Sequence, residues 1–234
     1  EVGGVPVALL SRHGEGHLHS PSRVPYRANV FALKRLGVTH ILASGAVGSL
    51  REELAPRTLV IPDQIIDKTF RRPGTFYDDL AVHVELASPF CTNLRNLLVR
   101  GGTGLNTRVH QSGTYVCMEG PQFSTRAESE LHRGWGASLI GMTAMPEAKL
   151  AREAEICYAL VALPTDYDCW RQHPTHVDQA KVIEEILGNV KVATQNAIEL
   201  IRRTIPHVPT LAEKACPCQS ALALAIWSDR SRIP

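Results

Sequence analysis

Apolar runs that end in polar or glycine-rich tips recur along this chain. The longest, residues 156–164, carries no charge and runs into Thr165, Asp166, Tyr167, Asp168, Cys169 and Trp170. A run of that kind predicts a central strand buried on both faces. Shorter apolar stretches predict strands at 5–10, 40–43, 58–62, 113–118 and 139–143, with 63–70 continuing the sheet. Between them the period lengthens. Residues 24–37 place Val24, Ala28, Phe31, Ala32 and Leu36 on one helical face and close on Gly37. Further helices are predicted at 89–99, at 126–133 behind a Ser124 or Thr125 cap, and at 146–154 opened by Pro146. Two more follow at 177–187 and 190–204, and a short one at 220–227. Strands that alternate with helices predict an α/β domain with a mixed, largely parallel central sheet flanked by helices.

Polar chemistry collects at the strand ends, where ligands of open α/β sheets bind. Arg12 and His13 precede Gly14 just past the first predicted strand. An arginine fork beside accessible backbone N–H groups can hold phosphate or carboxylate. Ser44, Gly45, Ala46, Val47 and Gly48 predict a turn around a ligand or a bare tight turn. Asp166 and Asp168 lie two apart, so in extended chain they face the same way, and like charges so placed make one of them a proton donor. The alternative is that Asp166 caps a helix or closes a turn. Residues 71–79 are rich in turn formers and form a candidate lid.

Bulk properties narrow the class. A chain of 234 residues with a formal charge of +2 and no basic run offers no nucleic-acid surface. It also shows no apolar stretch of membrane-spanning length and no signal-peptide layout, so a cytoplasmic protein is expected. Six cysteines sit mostly among apolar neighbours and are expected to be reduced core thiols. Cys216, Pro217 and Cys218 make a C-x-C that by itself supplies too few ligands for zinc, and no metal is expected.

Taken together, five spaced motifs resemble the trimeric purine nucleoside phosphorylases. They are Ser11 to Gly14, Ala46 to Leu50, Glu119 to Glu128, Met142 to Glu147, and Thr165 to Trp170. The resemblance implies one nucleoside phosphorylase domain over residues 1–234 that lacks the family's first strand and Gly-rich turn. It implies phosphorolysis, in which inorganic phosphate displaces a purine from C1′, with no cofactor. By this likeness Arg12, His13, Gly45, Ala46 and Thr143 bind phosphate. Met142 underlies the ribose, and Phe123 and Thr165 line the base site. Asp166 then protonates N7 of the leaving purine, while Asp168 accepts from the 6-amino group or supports Asp166. Relatives acting on 6-oxopurines carry Asn at the Asp166 position, so two acids favour a 6-aminopurine. Val182 and Ile183 match an apolar 5′ pocket, and His83 matches the residue that a neighbouring subunit lends to it. The implied substrate is 5′-methylthioadenosine, or adenosine, giving adenine and 5-methylthioribose 1-phosphate, in a homotrimer or a dimer of trimers. Gly45 departs from the Thr, Ser or Asn common in relatives. Three other readings stay open: a nucleoside hydrolase, a 6-oxopurine phosphorylase and a non-catalytic nucleoside-binding protein.

Overall fold

The computed structural model describes residues 1–171, 178–212, 215–229, 231 and 233. Its regular elements run α1 (Tyr26–Arg35), β1 (His40–Ser49), β2 (Leu59–Val60), β3 (Gln64–Lys68) and α2 (Thr92–Gly101). After these come β4 (Val109–His110), β5 (Thr114–Met118), α3 (Arg126–Gly134), β6 (Leu139–Gly141), α4 (Ala144–Glu153), β7 (Cys157–Tyr167) and α5 (Gln179–Thr204). The strands form one sheet in the order β3-β5-β6-β1-β7-β2-β4. Four neighbouring pairs are parallel, and the β1–β6 and β2–β7 pairs are antiparallel.

β7 is buried on both faces, as the charge-free run requires. Along β7, Tyr158, Leu160 and Ala162 pack with Val30 of α1 and Ala148 and Ala151 of α4. The intervening Cys157, Ala159, Val161 and Leu163 pack with Leu94 and Leu98 of α2 and Ala193, Ala197 and Leu200 of α5. Period-two alternation thus feeds two cores from one strand. Each fully buried Leu contributes about 1.5–3 kcal/mol. No helix among the described residues is long and apolar enough to cross a membrane.

Several local expectations are corrected. Residues 5–10 form no regular strand: only Val2 and Val5 bridge each other, and Leu9 is 94% exposed. Without a ladder partner among the described residues, the apolar pattern has no sheet to join. On α1 the buried positions are Tyr26 and Val30, while Phe31 and Leu36 of the expected apolar face are exposed. The glycines after Ala43 do not end β1, which pairs with β7 as far as Ser49↔Tyr167. Helix α5 is continuous through Gly188 and Asn189 rather than two helices, because Asn189 is held by long-range bonds described below. It starts at Gln179 behind an Asp178 cap, and Val177 of the expected helix lies outside the described residues. Residues 220–227 follow the 3-10 helix Pro217–Ser220 as turns and an isolated bridge of Ile226 to Val82, in place of a helix. Their backbone groups are taken elsewhere: the Leu222 N–H donates to Glu155 Oε1, the Ala225 carbonyl accepts from the His83 N–H, and the Trp227 N–H donates to the Ala81 carbonyl. The short strand β4 had no clear sequence signal.

Candidate active site

The tip of β7 is irregular where the site chemistry lies. Its register against β1 runs Val47↔Pro164 and then Gly48↔Asp166, so Thr165 bulges out of the ladder. Bulges leave backbone groups unpaired and re-aim side chains, and they gather next to active sites. The Thr165 carbonyl is satisfied by Asn189 Nδ2 at 2.8 Å, and Asn189 Oδ1 in turn accepts from Arg57 Nε at 2.6 Å. The Thr165 hydroxyl donates towards Asp166 Oδ1 at 2.8 Å. Asp166 is half-buried, whereas Asp168 is buried just past the strand, with its N–H donating to the Ser49 carbonyl at 2.9 Å. Asp168 Oδ2 has no hydrogen-bond partner among the described residues.

Glycines in β1 bring the neighbouring tips into contact with this strand end. A Cβ built on Gly45 lies 3.6 Å from Thr143 Oγ1, so the glycine faces the hydroxyl across ordinary van der Waals distance. A Cβ on Gly48 lies 3.3 Å from the Asp168 Cβ. The Glu119–Phe123 loop closes on the same region. Gly120 takes φ +66°, and its Cα side is filled by the Met142 sulfur. Beyond it, Cys169 Sγ donates to the Ser124 carbonyl at 3.3 Å. Thr125 caps α3 in a capping box with Glu128, one of the two caps expected.

Arg12 is drawn into the site by Glu147. Its Nε and Nη2 donate to Glu147 Oε1 and Oε2 at 2.9 and 3.0 Å, and its Nη1 donates to the Ser44 carbonyl at 2.9 Å. Three of the five N–H groups of the guanidinium are thereby used. The Tyr158 hydroxyl of β7 also donates to Glu147, at 2.7 Å. Burial works against the Arg12 charge, but Glu147 outweighs it and holds the guanidinium firmly protonated. At His13, burial lowers the pKa, and Nδ1 donates to the His19 carbonyl at 2.7 Å while the ring stacks on His17.

A second buried pair fixes the loops. Arg72, only 1% exposed at its side chain, binds Glu119 and donates to the carbonyls of Met142, Met145 and Glu119. Residues 71–79, the candidate lid, are therefore tied to the sheet at this point. Burial favours the neutral form of Glu119, yet hydrogen bonds from Ser22 and Phe70, together with Arg72, keep its pKa low.

The structure thus brings together Arg12, Gly45, Met142, Thr143, Thr165, Asp166 and Asp168, with His13 adjoining Arg12 and Ala46 exposed beside Gly45. It does not bring in four others within one chain. Phe123 is 84% exposed, Ile183 is 58% exposed while Val182 is half-buried, and His83 packs edge-on against Trp227 at the surface. Sequence reading missed Glu147, Arg72 and Tyr158. The available signal was an acid directly after Met145 and Pro146 in an otherwise apolar helix start, which burial makes costly unless a cation meets it.

Comparison with known proteins agrees with this geometry. The model of the phosphorylase superfamily matches residues 1–206. The S-methyl-5′-thioadenosine phosphorylase of Geobacter sulfurreducens is 48% identical over 233 residues, covering 99% of this chain and 79% of that protein. A methylthioadenosine phosphorylase from an antarctic soil metagenomic library superposes with a TM-score of 0.86 at 44% identity, over 96% of this chain and 78% of the other. A variant of the adenosine/methylthioadenosine phosphorylase of Schistosoma mansoni, in complex with methylthioadenosine, superposes with a TM-score of 0.79 at 35% identity, over 92% and 78%. The chain therefore belongs to the phosphorylase superfamily and, within it, to the family of the S-methyl-5′-thioadenosine phosphorylases.

Proposed function

We propose that this chain cleaves 5′-methylthioadenosine with inorganic phosphate, releasing adenine and 5-methylthioribose 1-phosphate. The observation that carries the choice of purine is the pair of acids at the bulged tip of β7, where Asp168 Oδ2 is buried without a hydrogen-bond partner among the described residues. A buried, unpaired carboxylate oxygen costs about 1–3 kcal/mol, which a donor such as a 6-amino group relieves. A 6-keto group offers no such donor.

In the reaction a phosphate oxygen forms a bond to C1′ as the C1′–N9 bond breaks. The purine leaves as an anion that needs a proton at N7, and Asp166 donates it. The free N–H groups of Arg12, the Thr143 hydroxyl, His13 and the backbone at Gly45 and Ala46 hold the phosphate. Met142 supports the ribose, and Thr165 and Phe123 flank the base. Val182, Ile183 and His83 of a second copy enclose the 5′ substituent, which explains why Ile183 and His83 are surface residues in one chain. A homotrimer or a dimer of trimers in the cytoplasm follows from this reading. No cofactor takes part.

Measuring adenine release from methylthioadenosine with and without phosphate tests the proposal. Release that requires phosphate supports it, and release at the same rate in water alone would make the protein a hydrolase. Adenosine is a second substrate to assay, because the Schistosoma relative is named for both.

A further inference from the structure

Away from the strand tips, at the start of β7, four cysteines meet. Cys91, Cys157 and the Cys216–Cys218 pair come from three places in the sequence, and the four sulfur atoms all lie within 4.8 Å of one another. Cys216 Sγ is 3.6 Å from Cys91 Sγ and 3.5 Å from Cys157 Sγ. All four are free thiols, and Cys91, Cys157 and Cys218 are buried. The C-x-C that alone supplied too few ligands is completed by two thiols that only the fold places beside it.

The spacing identifies the chemistry. A disulfide brings two sulfurs to about 2.05 Å. Four thiolates around one tetrahedral zinc at about 2.3 Å have sulfur–sulfur edges of about 3.8 Å. The observed separations match the second arrangement. The setting adds a helix terminus: Cys91 is the N-cap residue of α2, where the helix dipole favours negative charge. Side chains from α2, α5 and the sheet close an apolar shell around the sulfurs.

We propose that Cys91, Cys157, Cys216 and Cys218 form a closed tetrathiolate site for one structural soft divalent cation, zinc being the natural occupant. Binding exchanges the thiol protons for the metal, and four protein ligands leave no open position for catalysis. The site clamps the C-terminal segment to α2 and to the first residue of β7. That segment holds only the short 3-10 helix Pro217–Ser220 and no α-helix among its described residues, so the clamp supplies order that local structure does not. The inference is independent of the proposed reaction, whose two acids, Asp166 and Asp168, lie at and just past the opposite end of β7.

The test uses the full chain made without a metal-affinity tag in zinc-supplemented medium. Elemental analysis should find about one zinc per chain. Replacing zinc with cobalt(II) should give the intense thiolate-to-cobalt absorption of a tetrahedral sulfur site. Cys216→Ser with Cys218→Ser should abolish both signals, and a strong chelator should lower the Tm of the unaltered protein but not of the variant. If the variant does not fold, the metal content and cobalt spectrum of the unaltered protein decide by themselves. Metal-free protein with four alkylatable thiols in this cluster after zinc exposure would overturn the proposal. So would an intact mass lighter by two protons per disulfide, or metal retained in the double variant.

Discussion

Arg12 and Glu147, 135 residues apart, form a two-point ion pair whose carboxylate is also held by Tyr158. The pair orients a cation that would otherwise sample many rotamers, and it leaves two N–H groups for an anion. Glu147→Gln should destabilise the fold by about 3 kcal/mol, because Arg12 is then buried with a weakened partner. Its kcat/KM for phosphate should fall about 10-fold through misplacement of the guanidinium. Arg12→Lys keeps the charge but loses the fork, so the KM for phosphate should rise about 10- to 100-fold. Phosphate saturation curves and thermal melts check both. An unchanged phosphate KM in Arg12→Lys would remove Arg12 from the phosphate site.

Asp166→Asn replaces the proposed proton donor with an amide at the tip of β7. The kcat/KM for methylthioadenosine should drop at least about 100-fold, the range of a lost general acid. Activity on inosine relative to methylthioadenosine should rise, because an amide N–H can donate to a 6-keto oxygen. Parallel assays with both nucleosides read the ratio, and a ratio that does not move would place base selection elsewhere.

Gly45 has room for a side chain: the nearest atom to an added Cβ is Thr143 Oγ1 at 3.6 Å. Gly45→Ala should therefore stabilise the strand by about 0.5–1 kcal/mol, raising the Tm by about 2 °C. Gly45→Ser adds a hydroxyl facing Thr143 and should lower the KM for phosphate. A drop in Tm for the alanine variant would mean that the strand cannot accommodate the methyl group.

Acid should destabilise the fold through His132. Burial, aided by Lys68, lowers the His132 pKa against the opposing pull of Glu128 and Asp168, and neither ring nitrogen has a hydrogen-bond partner among the described residues. The unfolded chain takes up this proton near pH 6.5 while the folded protein resists it. Stability should then be constant above that pH and fall below it, by at most about 1.4 kcal/mol per pH unit for this one group. His13, His40 and His110 are lowered by burial in the same sense. Melts between neutral and mildly acidic pH should show a shallower loss in His132→Gln than in the unaltered protein.

The sequence by itself determined what depends on local pattern. A charge-free run must be buried on both faces, so β7 and the mixed, largely parallel sheet around it were legible. So was the polar end of β7, whereas Arg12 follows no strand and the glycines after Ala43 fall inside β1; Thr125 with Glu128 spells its own cap. Tertiary structure decided the rest. Residues 5–10 are an apolar run like a strand's but find no ladder among the described residues, and the apolar pattern of 220–227 loses to backbone bonds with Glu155, His83 and Ala81. The long-range bonds of Asn189 to Thr165 and Arg57 make α5 one helix through Gly188. Glu147 met Arg12, and Cys91 and Cys157 became neighbours of the C-x-C, only through chain crossings of many tens of residues. Periodicity reports which face of an element is apolar, whereas the partner that meets a buried charge or thiol is set by packing between elements distant in the chain.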